Sequence, residues 1–188
     1  ASALDNYPYA NGMNELSYVM GISSAELSMR DVDEKRRAKK RPLGILMQRM
    51  NDSWPSLSPS AVDYYGGKKP LQYNERDFFS PVRISAVANG TRIKFTVSNG
   101  LRTDYTGVFS YRIMNNKNQP VFRDSFPIRA RASSNLDVHN VDVGSVVNGH
   151  ENEYYVLYSV ADKSNESSNG LLFFTNIKSF ELLDPKCT

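Results

Sequence analysis

The spacing of apolar residues changes near Pro81, and this change predicts two structural units. From Met13 up to that point, apolar side chains recur at helical intervals, apart from one short apolar run. Beyond it, apolar and polar residues alternate at every second position, which is typical of β-strands. The pattern therefore predicts residues 1–80 as one unit and residues 81–188 as another.

The first unit is predicted to contain three helices. One is expected from about Met13 to Gly21, where the glycine interrupts the helical pattern. A second is expected to begin at the Ser-x-x-Glu capping box that opens at Ser23, and to continue to about Lys40. Pro70 is well placed to begin a third helix, because proline is tolerated in a first helical turn.

The short apolar run, residues 43–47, follows the second predicted helix. Such a run is typical of a strand that is buried on both faces in a parallel sheet. The order helix, buried strand, loop, helix is that of an α/β barrel, so we predict that the first unit is part of one. Because three or four elements cannot close an eight-stranded barrel, the remaining strands must come from the same parent chain or a companion chain.

The second unit is predicted to be an all-β, immunoglobulin-like sandwich. Asn89-Gly90 stands between the alternating runs 82–86 and 93–97, and this is a strong hairpin signal. The polar segment 163–169 is predicted to be a hairpin tip. Seven to nine short strands in roughly a hundred residues are typical of such a sandwich. Further strands are predicted at residues 107–113, 120–124, 126–131, 136–143, 153–161, 170–175 and 177–183.

A group of tyrosines near the end of the chain allows two interpretations. Their rings could form a platform for carbohydrate, or they could be buried. Strand alternation places Tyr154, Val156 and Tyr158 on one face, and Tyr155 and Leu157 on the other. Both faces are therefore apolar or aromatic, which favours burial.

Charge and residue types narrow the classes of partner. The formal net charge of +3 is too small to indicate a nucleic-acid partner. The basic run at 35–41 is predicted to be a solvated helix end, where cations oppose the helix dipole.

No apolar run approaches the roughly 18 residues of a membrane span, so no membrane partner is expected. His139 and His150 have no Cys or carboxylate at ligand spacing, so we expect no metal and no cofactor.

Several stretches of the chain resemble β-mannosidases of glycoside hydrolase family 2, and the most specific of them lie before residue 83. Residues 44–55 are similar to the family pattern Gly-x-x-x-Trp-Gln-Leu-Asn-Asp-x-Trp-Pro at the last barrel strand. Residues 63–73 are similar to Asp-Tyr-Tyr-Gly-x-x-Lys-x-Leu-x-Tyr. Residues 76–82 are similar to the Arg-x-Phe-Phe-Ala-Pro-Val that leads into the first sandwich domain after the barrel. The chain thus resembles the C-terminal part of such an enzyme, namely the end of the catalytic barrel and the following immunoglobulin-like domain.

The resemblance implies a retaining hydrolase that removes terminal β-linked mannose. Retention uses two carboxylates about 5 Å apart, one as acid/base and one as nucleophile. In the family both glutamates lie on earlier barrel strands, and Glu15, Glu26 and Glu34 fall on helical patterns instead. We therefore assign no catalytic residue, and we expect this chain alone to be inactive.

The resemblance also implies a set of substrate-binding residues. Gln48, Asn51, Asp52 and Trp54 follow the last barrel strand at its C-terminal end, where barrel active sites lie. In the alternative interpretation, Asp52 caps the next turn and Trp54 packs under the loop. Gln48 departs from the family pattern, because a tryptophan normally stands there and glutamine lacks its apolar surface.

The partners implied are the rest of the glycosidase and a mannose-containing oligosaccharide. A lysosomal, secreted or periplasmic location follows from the resemblance more readily than a cytoplasmic one. The alternative function is a non-catalytic β-sandwich that serves as an interaction or carbohydrate-binding module, and the departure at Gln48 favours it. Asn-x-Ser/Thr sequons occur at Asn51, Asn89 and Asn165, and the position of Asn51 beside a predicted cleft makes it a poor glycan acceptor.

Overall fold

The computed structural model describes residues 6–7, 9–38, 46, 49–163 and 166–181. The chain divides into two compact units between Ser80 and Pro81, which is where the apolar spacing changes along the sequence. The last helix of the first unit ends at Phe78 and the first strand of the second begins at Val82.

The first unit is built on helix α1 (Met13–Ala38) and helix α2 (Pro70–Phe78). The prediction of two helices before residue 40 is wrong, because α1 continues through Gly21 without a break. A Cβ at Gly21 would lie 3.1 Å from Cδ of Pro70, so glycine is used here to let the first turn of α2 approach closely. Its role is therefore in packing and not in ending a helix.

The predicted capping box at Ser23 does not begin a helix either. Ser23 is a buried residue in the middle of α1. Glu26 does not reach back to the serine backbone but accepts hydrogen bonds from Tyr7 Oη and Arg30 Nη2, each at 2.5 Å. The carboxylate of Glu26 thus holds residue 7 against the side of the helix.

A small apolar core joins α1 to α2. Ala25 and Val32 of α1 pack with Leu71 and Phe78 of α2 and with Ala61 from the intervening segment. The basic end of α1 is only partly a solvated face. Lys35 is exposed and pairs with Asp31 at 2.5 Å, but Arg36 is buried and its Nη1 donates to the carbonyl of Ser80 at 3.0 Å. Arg36 thus links the end of α1 to the end of the unit.

The strand predicted at residues 43–47 lies outside the described residues except for Leu46, which is fully exposed and belongs to no strand. After it, residues 49–69 form an irregular segment. Two isolated bridges order this segment, one parallel between Asn51 and Val62 and one antiparallel between Val62 and Lys68. Val62 takes part in both bridges and therefore links the two ends of the segment.

The second unit is a β-sandwich, as the alternating pattern predicted. Its strands are β1 (Val82–Asn89), β2 (Arg92–Asn99), β3 (Tyr105–Asn115), β4 (Pro120–Ala130), β5 (Ser134–Asp142), β6 (Tyr154–Ala161) and β7 (Glu166–Phe173), with a short helix α3 (Gly144–Val147) and a 3-10 turn (Ile177–Ser179). One sheet has the strand order β1-β2-β5 and the other has the order β4-β3-β6-β7, and all paired strands are antiparallel. The chain changes sheet between β2 and β3, between β4 and β5, and between β5 and β6, which gives Greek-key crossovers.

An aromatic cluster fills the space between the two sheets. Phe95 of β2 is fully buried, with its ring centroid 5.0 Å from Phe109, 5.4 Å from Tyr111 and 5.5 Å from Tyr158. On β6 one face lies in this core and the other face, which includes Tyr155, is partly buried. The tyrosines of β6 therefore serve mainly to pack the sandwich.

Three strand predictions are wrong in detail. The strands expected at 120–124 and 126–131 are one strand, β4, which lies at a sheet edge where its polar middle can face water. The polar segment expected to be a hairpin tip is β7 from Glu166 onward. The strand expected at 177–183 begins as the 3-10 turn, and residues from 182 onward lie outside the described part of the chain.

The polar sequence of β7 forms a strand because its neighbours satisfy its hydrogen bonds. The hydroxyl of buried Ser168 accepts a hydrogen bond from the backbone N–H of Ile84 at 3.1 Å. The buried guanidinium of Arg83 donates to the carbonyl of Asn169 at 2.9 Å. A polar stretch can therefore occupy a buried strand position where β1 supplies the partners.

Replacing Gly107 by alanine is expected to destabilise the sandwich by about 1–3 kcal/mol, the usual cost of overpacking. A Cβ at this position in β3 would lie 2.5 Å from the carbonyl oxygen of Ala161, a backbone atom of the paired strand. The adjacent and exposed Thr106→Ala is the control, and it should cost much less. Urea unfolding of the two variants would measure the difference in their free energies of unfolding. Equal midpoints would contradict the prediction, because they would mean that β3 and β6 can separate to accommodate the added methyl group.

Candidate functional site

The residues predicted to bind substrate lie on the irregular segment that follows residue 48. Gln48 itself is outside the described residues. Asn51 and Trp54 are exposed, and Trp54 keeps 66% of its surface accessible. Asp52, between them, is buried. The segment therefore presents two side chains to its surroundings and holds the third inside.

Asp52 is the centre of a buried polar network. Lys69 Nζ donates to its Oδ2 at 2.5 Å, and the hydroxyl of Ser58 donates to its Oδ1. Lys69 Nζ also donates to the carbonyl of Ser58 at 3.1 Å. The Asp52 side chain is 1% exposed and that of Lys69 is 17% exposed, so solvent screens the ion pair poorly.

Backbone hydrogen bonds close the same loop. The N–H of Asp52 donates to the carbonyl of Val62 at 3.0 Å, and the N–H of Lys69 donates to the carbonyl of Ala61 at 2.9 Å. The hydroxyl of Ser60 also donates to the carbonyl of Val62 at 3.0 Å. Both ends of the segment are thus fixed, and Trp54 stands on a loop between anchored points.

These contacts decide against the alternative interpretation of the motif. Trp54 does not pack under the loop, because two thirds of its surface is exposed. Asp52 does not simply cap the next turn, because its carboxylate is paired with Lys69 and Ser58. Asp52 is therefore held inside the loop, whereas the side chains of Asn51 and Trp54 remain accessible.

Sequence reasoning did not single out Lys69 as a partner of Asp52. A signal was available, since the lysine of the resembled pattern Asp-Tyr-Tyr-Gly-x-x-Lys falls on Lys69. Spacing alone could not show the pairing, because 17 positions separate the two residues. Ser58 carried no signal, because the segment around it is rich in serine.

The hydrogen bond from Lys69, and then that from Ser58, lower the pKa of Asp52 to about 2. A carboxyl whose pKa is lower in the folded than in the unfolded state stabilises the fold above its unfolded pKa. This stability is lost as the pH falls through the folded pKa. We therefore expect the loop to weaken between about pH 4 and pH 2.

Hydrogen exchange or amide NMR at residues 52 and 62 would follow this acid transition. Asp52→Asn provides the control, since the variant carries no titrating group at this position and should lose the pH-dependent step. A wild-type loop that is equally stable at pH 2 and pH 5 would contradict the ion pair.

A second turn carries a pair of exposed tyrosines. Asp63 Oδ1 accepts hydrogen bonds from the N–H of Tyr65 at 2.8 Å and from the N–H of Gly67 at 2.7 Å. Gly66 has a φ of +85°, which suits glycine. The rings of Tyr64 and Tyr65 lie 5.2 Å apart in an edge-on arrangement and are both exposed. The Asp-Tyr-Tyr-Gly-Gly motif is therefore a turn that is held by the Asp63 side chain and exposes two aromatic rings.

A groove of about 420 Å³ lies between this turn and the first half of α1. Ser58 and Lys69, which hold Asp52, are part of its wall, whereas Asn51, Asp52 and Trp54 are not. Asp52 therefore supports the groove from behind. The groove is lined by Asn14, Ser17, Tyr18, Met20, Gly21, Pro55, Ser56, Leu57, Ser58, Asp63, Tyr64, Tyr65, Lys68, Lys69 and Pro70.

The chemistry available here is that of binding. The Asp52 carboxylate is engaged by two donors, which leaves it poorly suited to exchange protons with a substrate. Among the described residues, no three His, Cys, Asp or Glu side chains are grouped to hold a metal ion. No helix in the described ranges is long and apolar enough to cross a membrane.

No protein-family model and no curated protein sequence matches the chain, but solved structures do. A β-D-mannosidase from Dictyoglomus thermophilum matches with a TM-score of 0.84 and 19% identity, over 96% of this chain and 22% of that chain. An exo-chitosanase from Amycolatopsis orientalis matches with a TM-score of 0.71 and 16% identity, over 91% of this chain and 21% of that chain. A family 2 glycosyl hydrolase from Bacteroides cellulosilyticus matches over 49% of this chain and 15% of that chain, with 13% identity and a TM-score of 0.38, which is too weak to argue from.

At these identities the likeness establishes a shared fold and not an activity. The chain spans about a fifth of the length of the β-mannosidase and of the exo-chitosanase. The resemblance predicted from the sequence is confirmed at this level, because a β-mannosidase and an exo-chitosanase both share the fold of this chain.

Proposed function

We propose that this chain is part of a retaining glycoside hydrolase that acts on terminal β-linked mannose. In this proposal residues 1–80 complete a catalytic (β/α)8 barrel, and the sandwich supports it. The main support for this proposal is the structural match to a β-mannosidase over 96% of the chain. Residues 44–82 resemble the same family in sequence. Both catalytic carboxylates would lie elsewhere in the complete enzyme.

The surface of the first unit supports its role as part of a larger assembly. Its core consists of a few side chains from α1, α2 and one residue between them. Many more large apolar side chains are exposed than a self-contained domain of this size needs to leave in water. These exposed side chains are Tyr9, Met13, Tyr18, Leu27, Leu46, Met50, Trp54, Leu57, Tyr64, Tyr65, Tyr73 and Phe79.

We infer that the rest of the glycosidase, in the same parent chain or a companion chain, covers part of this surface. The sandwich differs in this respect, because its apolar side chains are gathered between its sheets and it exposes fewer of them. The contrast supports a self-sufficient second unit and a first unit that depends on further strands. Isolated residues 1–80 should accordingly be prone to association.

Within the proposed enzyme, Trp54 and Asn51 form part of the sugar-binding wall. An exposed indole offers a flat apolar face to the C–H groups of a sugar ring. Among the described residues, the side-chain amide of Asn51 makes one hydrogen bond, a long one of 3.4 Å to the carbonyl of Asp52, so this amide can also bond hydroxyl groups. Gln48 belongs to the same predicted wall by its place in the motif.

The test is a substrate panel on the complete polypeptide that contains these residues. Aryl β-D-mannoside should be cleaved faster than aryl β-D-glucosaminide, the class of compound bound by the exo-chitosanase neighbour. NMR of the first product should show the β-anomer, because two displacements at the anomeric carbon retain its configuration. Preference for the glucosaminide would overturn the assignment of mannose, and an α-anomer would overturn the assignment of retention.

A further inference from the structure

The tip of the β1–β2 hairpin carries an N-glycosylation sequon at Asn89. Its geometry differs from that of the sequon at Asn51. Asn89, Gly90 and Thr91 form an Asn-x-Thr sequence with no proline in the middle. Asn89 ends β1 and pairs with Arg92, so Gly90 and Thr91 form the two-residue turn. The φ of Gly90 is +60°, as expected for glycine at the first position of a type II′ turn.

Asn89 has the freedom that an attached oligosaccharide requires. Its side chain is exposed, and within the described part of the chain its amide makes no hydrogen bond. A Cβ added at Gly90 would meet no atom within 4 Å, so the space above the turn is open. The turn itself is held in place, because the hydroxyl of Thr91 donates to Asp142 Oδ1 at 2.8 Å and the N–H of Val143 donates to the carbonyl of Thr91 at 3.0 Å.

The sequon at Asn51 is a contrasting case. Its backbone is bridged to Val62, and its next residue is the buried and ion-paired Asp52. An oligosaccharide at Asn51 would stand beside Trp54, on the surface proposed to bind substrate. The third sequon begins at Asn165, which lies outside the described residues.

We propose that Asn89 is an N-glycosylation site and that Asn51 is not. In the reaction, Nδ2 of Asn89 attacks the anomeric carbon of a lipid-diphosphate-linked oligosaccharide. A C–N bond forms, the bond from carbon to the phosphate oxygen breaks, the lipid diphosphate leaves, and Nδ2 releases one proton. The hydroxyl of Thr91 is the feature of the sequon that the transferase recognises in addition to the asparagine.

This assignment has a structural consequence for the whole protein. The hairpin tip is seven residues along β1 from Val82, or about 23 Å at the usual rise of a strand. A glycan there requires this end of the sandwich to remain in solvent in the complete protein. Any partner of the sandwich must therefore bind elsewhere on its surface. The assignment of Asn89 stands independently of the proposed glycosidase function, whereas the exclusion of Asn51 rests in part on that function.

The test maps glycans on the complete polypeptide purified from its natural source. Peptide N-glycanase treatment in heavy-oxygen water converts a glycan-bearing asparagine into labelled aspartate, which peptide mass spectrometry locates. We expect the label at residue 89 and none at residue 51. An unlabelled residue 89, or a label at residue 51, would overturn the proposal.

Variants of the same polypeptide, secreted from a eukaryotic host, sharpen the result. Asn89→Gln and Thr91→Ala should each abolish the label at the hairpin. Thr91→Ser should retain it, because serine preserves both the sequon and the hydroxyl that donates to Asp142. Asn51→Gln should leave the glycan mass unchanged. A glycan-dependent mobility shift that persists in full in Asn89→Gln would contradict the assignment.

Discussion

Replacing Lys69 by methionine is expected to destabilise the loop around Asp52 by about 3–5 kcal/mol, the usual cost of removing one partner from a buried ion pair. The Asp52 carboxylate would lose its charged partner and keep a neutral donor, the hydroxyl of Ser58, although its side chain is 1% exposed. Methionine preserves most of the length and apolar volume of lysine. The loss is therefore assigned to the charge and its hydrogen bonds.

Lys68→Met is the matched control for this experiment. Lys68 is the preceding residue, lines the same groove and is exposed, so its loss should change stability by less than about 0.5 kcal/mol. Hydrogen exchange at the amides of Asp52 and Val62 should be accelerated at least a hundredfold in Lys69→Met, since each 1.4 kcal/mol corresponds to about a factor of ten. Similar exchange rates in the two variants would show that the ion pair does not hold the loop.

If the proposed mannosidase function is right, Trp54→Ala in the complete polypeptide is expected to reduce kcat/KM for an aryl β-mannoside by roughly 70-fold. Stacking a sugar on the indole removes roughly 100 Å² of apolar surface from water, which is worth about 2.5 kcal/mol. That free energy corresponds to roughly 70-fold in rate. The side chain is 66% exposed and sits on a loop fixed at both ends, so its removal should not disturb the fold.

Two further variants separate stacking from general loss of aromatic surface. Trp54→Phe should recover part of the activity, because a smaller ring still offers an apolar face. Tyr73→Ala removes a ring from α2 that is 65% exposed, and it should leave kcat/KM near the wild-type value. If Trp54→Ala and Tyr73→Ala behave alike, Trp54 is not part of the sugar-binding wall.

The features that could be predicted from sequence are those that depend on local spacing. The boundary at Pro81 follows from a change of period, and a proline there disfavours helix in the preceding residue. The sandwich follows from alternation, with Asn89-Gly90 marking the first hairpin to within one residue. Burial within the sandwich is likewise visible in the sequence, since the buried positions of β3 alternate along most of the strand.

The features that were missed depend on contacts between distant residues. Gly21 resembles a helix breaker in sequence, but the approach of Pro70 explains it. Polar β7 resembles a loop, but Arg83 and Ile84 of β1 provide its partners. Lys69 has no distinctive spacing in the sequence, and its pairing with Asp52 is visible only in the folded structure. In each case the second residue lies at least 17 positions away, beyond the reach of periodicity.

Hydrolytic activity should differ between the complete polypeptide and the isolated 188-residue chain. Both are assayed for hydrolysis of an aryl β-mannoside, with contaminating glycosidase excluded by a mock purification. We expect turnover by the complete polypeptide and none by the chain alone, because the two carboxylates required for retention would lie outside these residues. Measurable turnover by the isolated chain, or an inactive complete polypeptide that is folded, would contradict it.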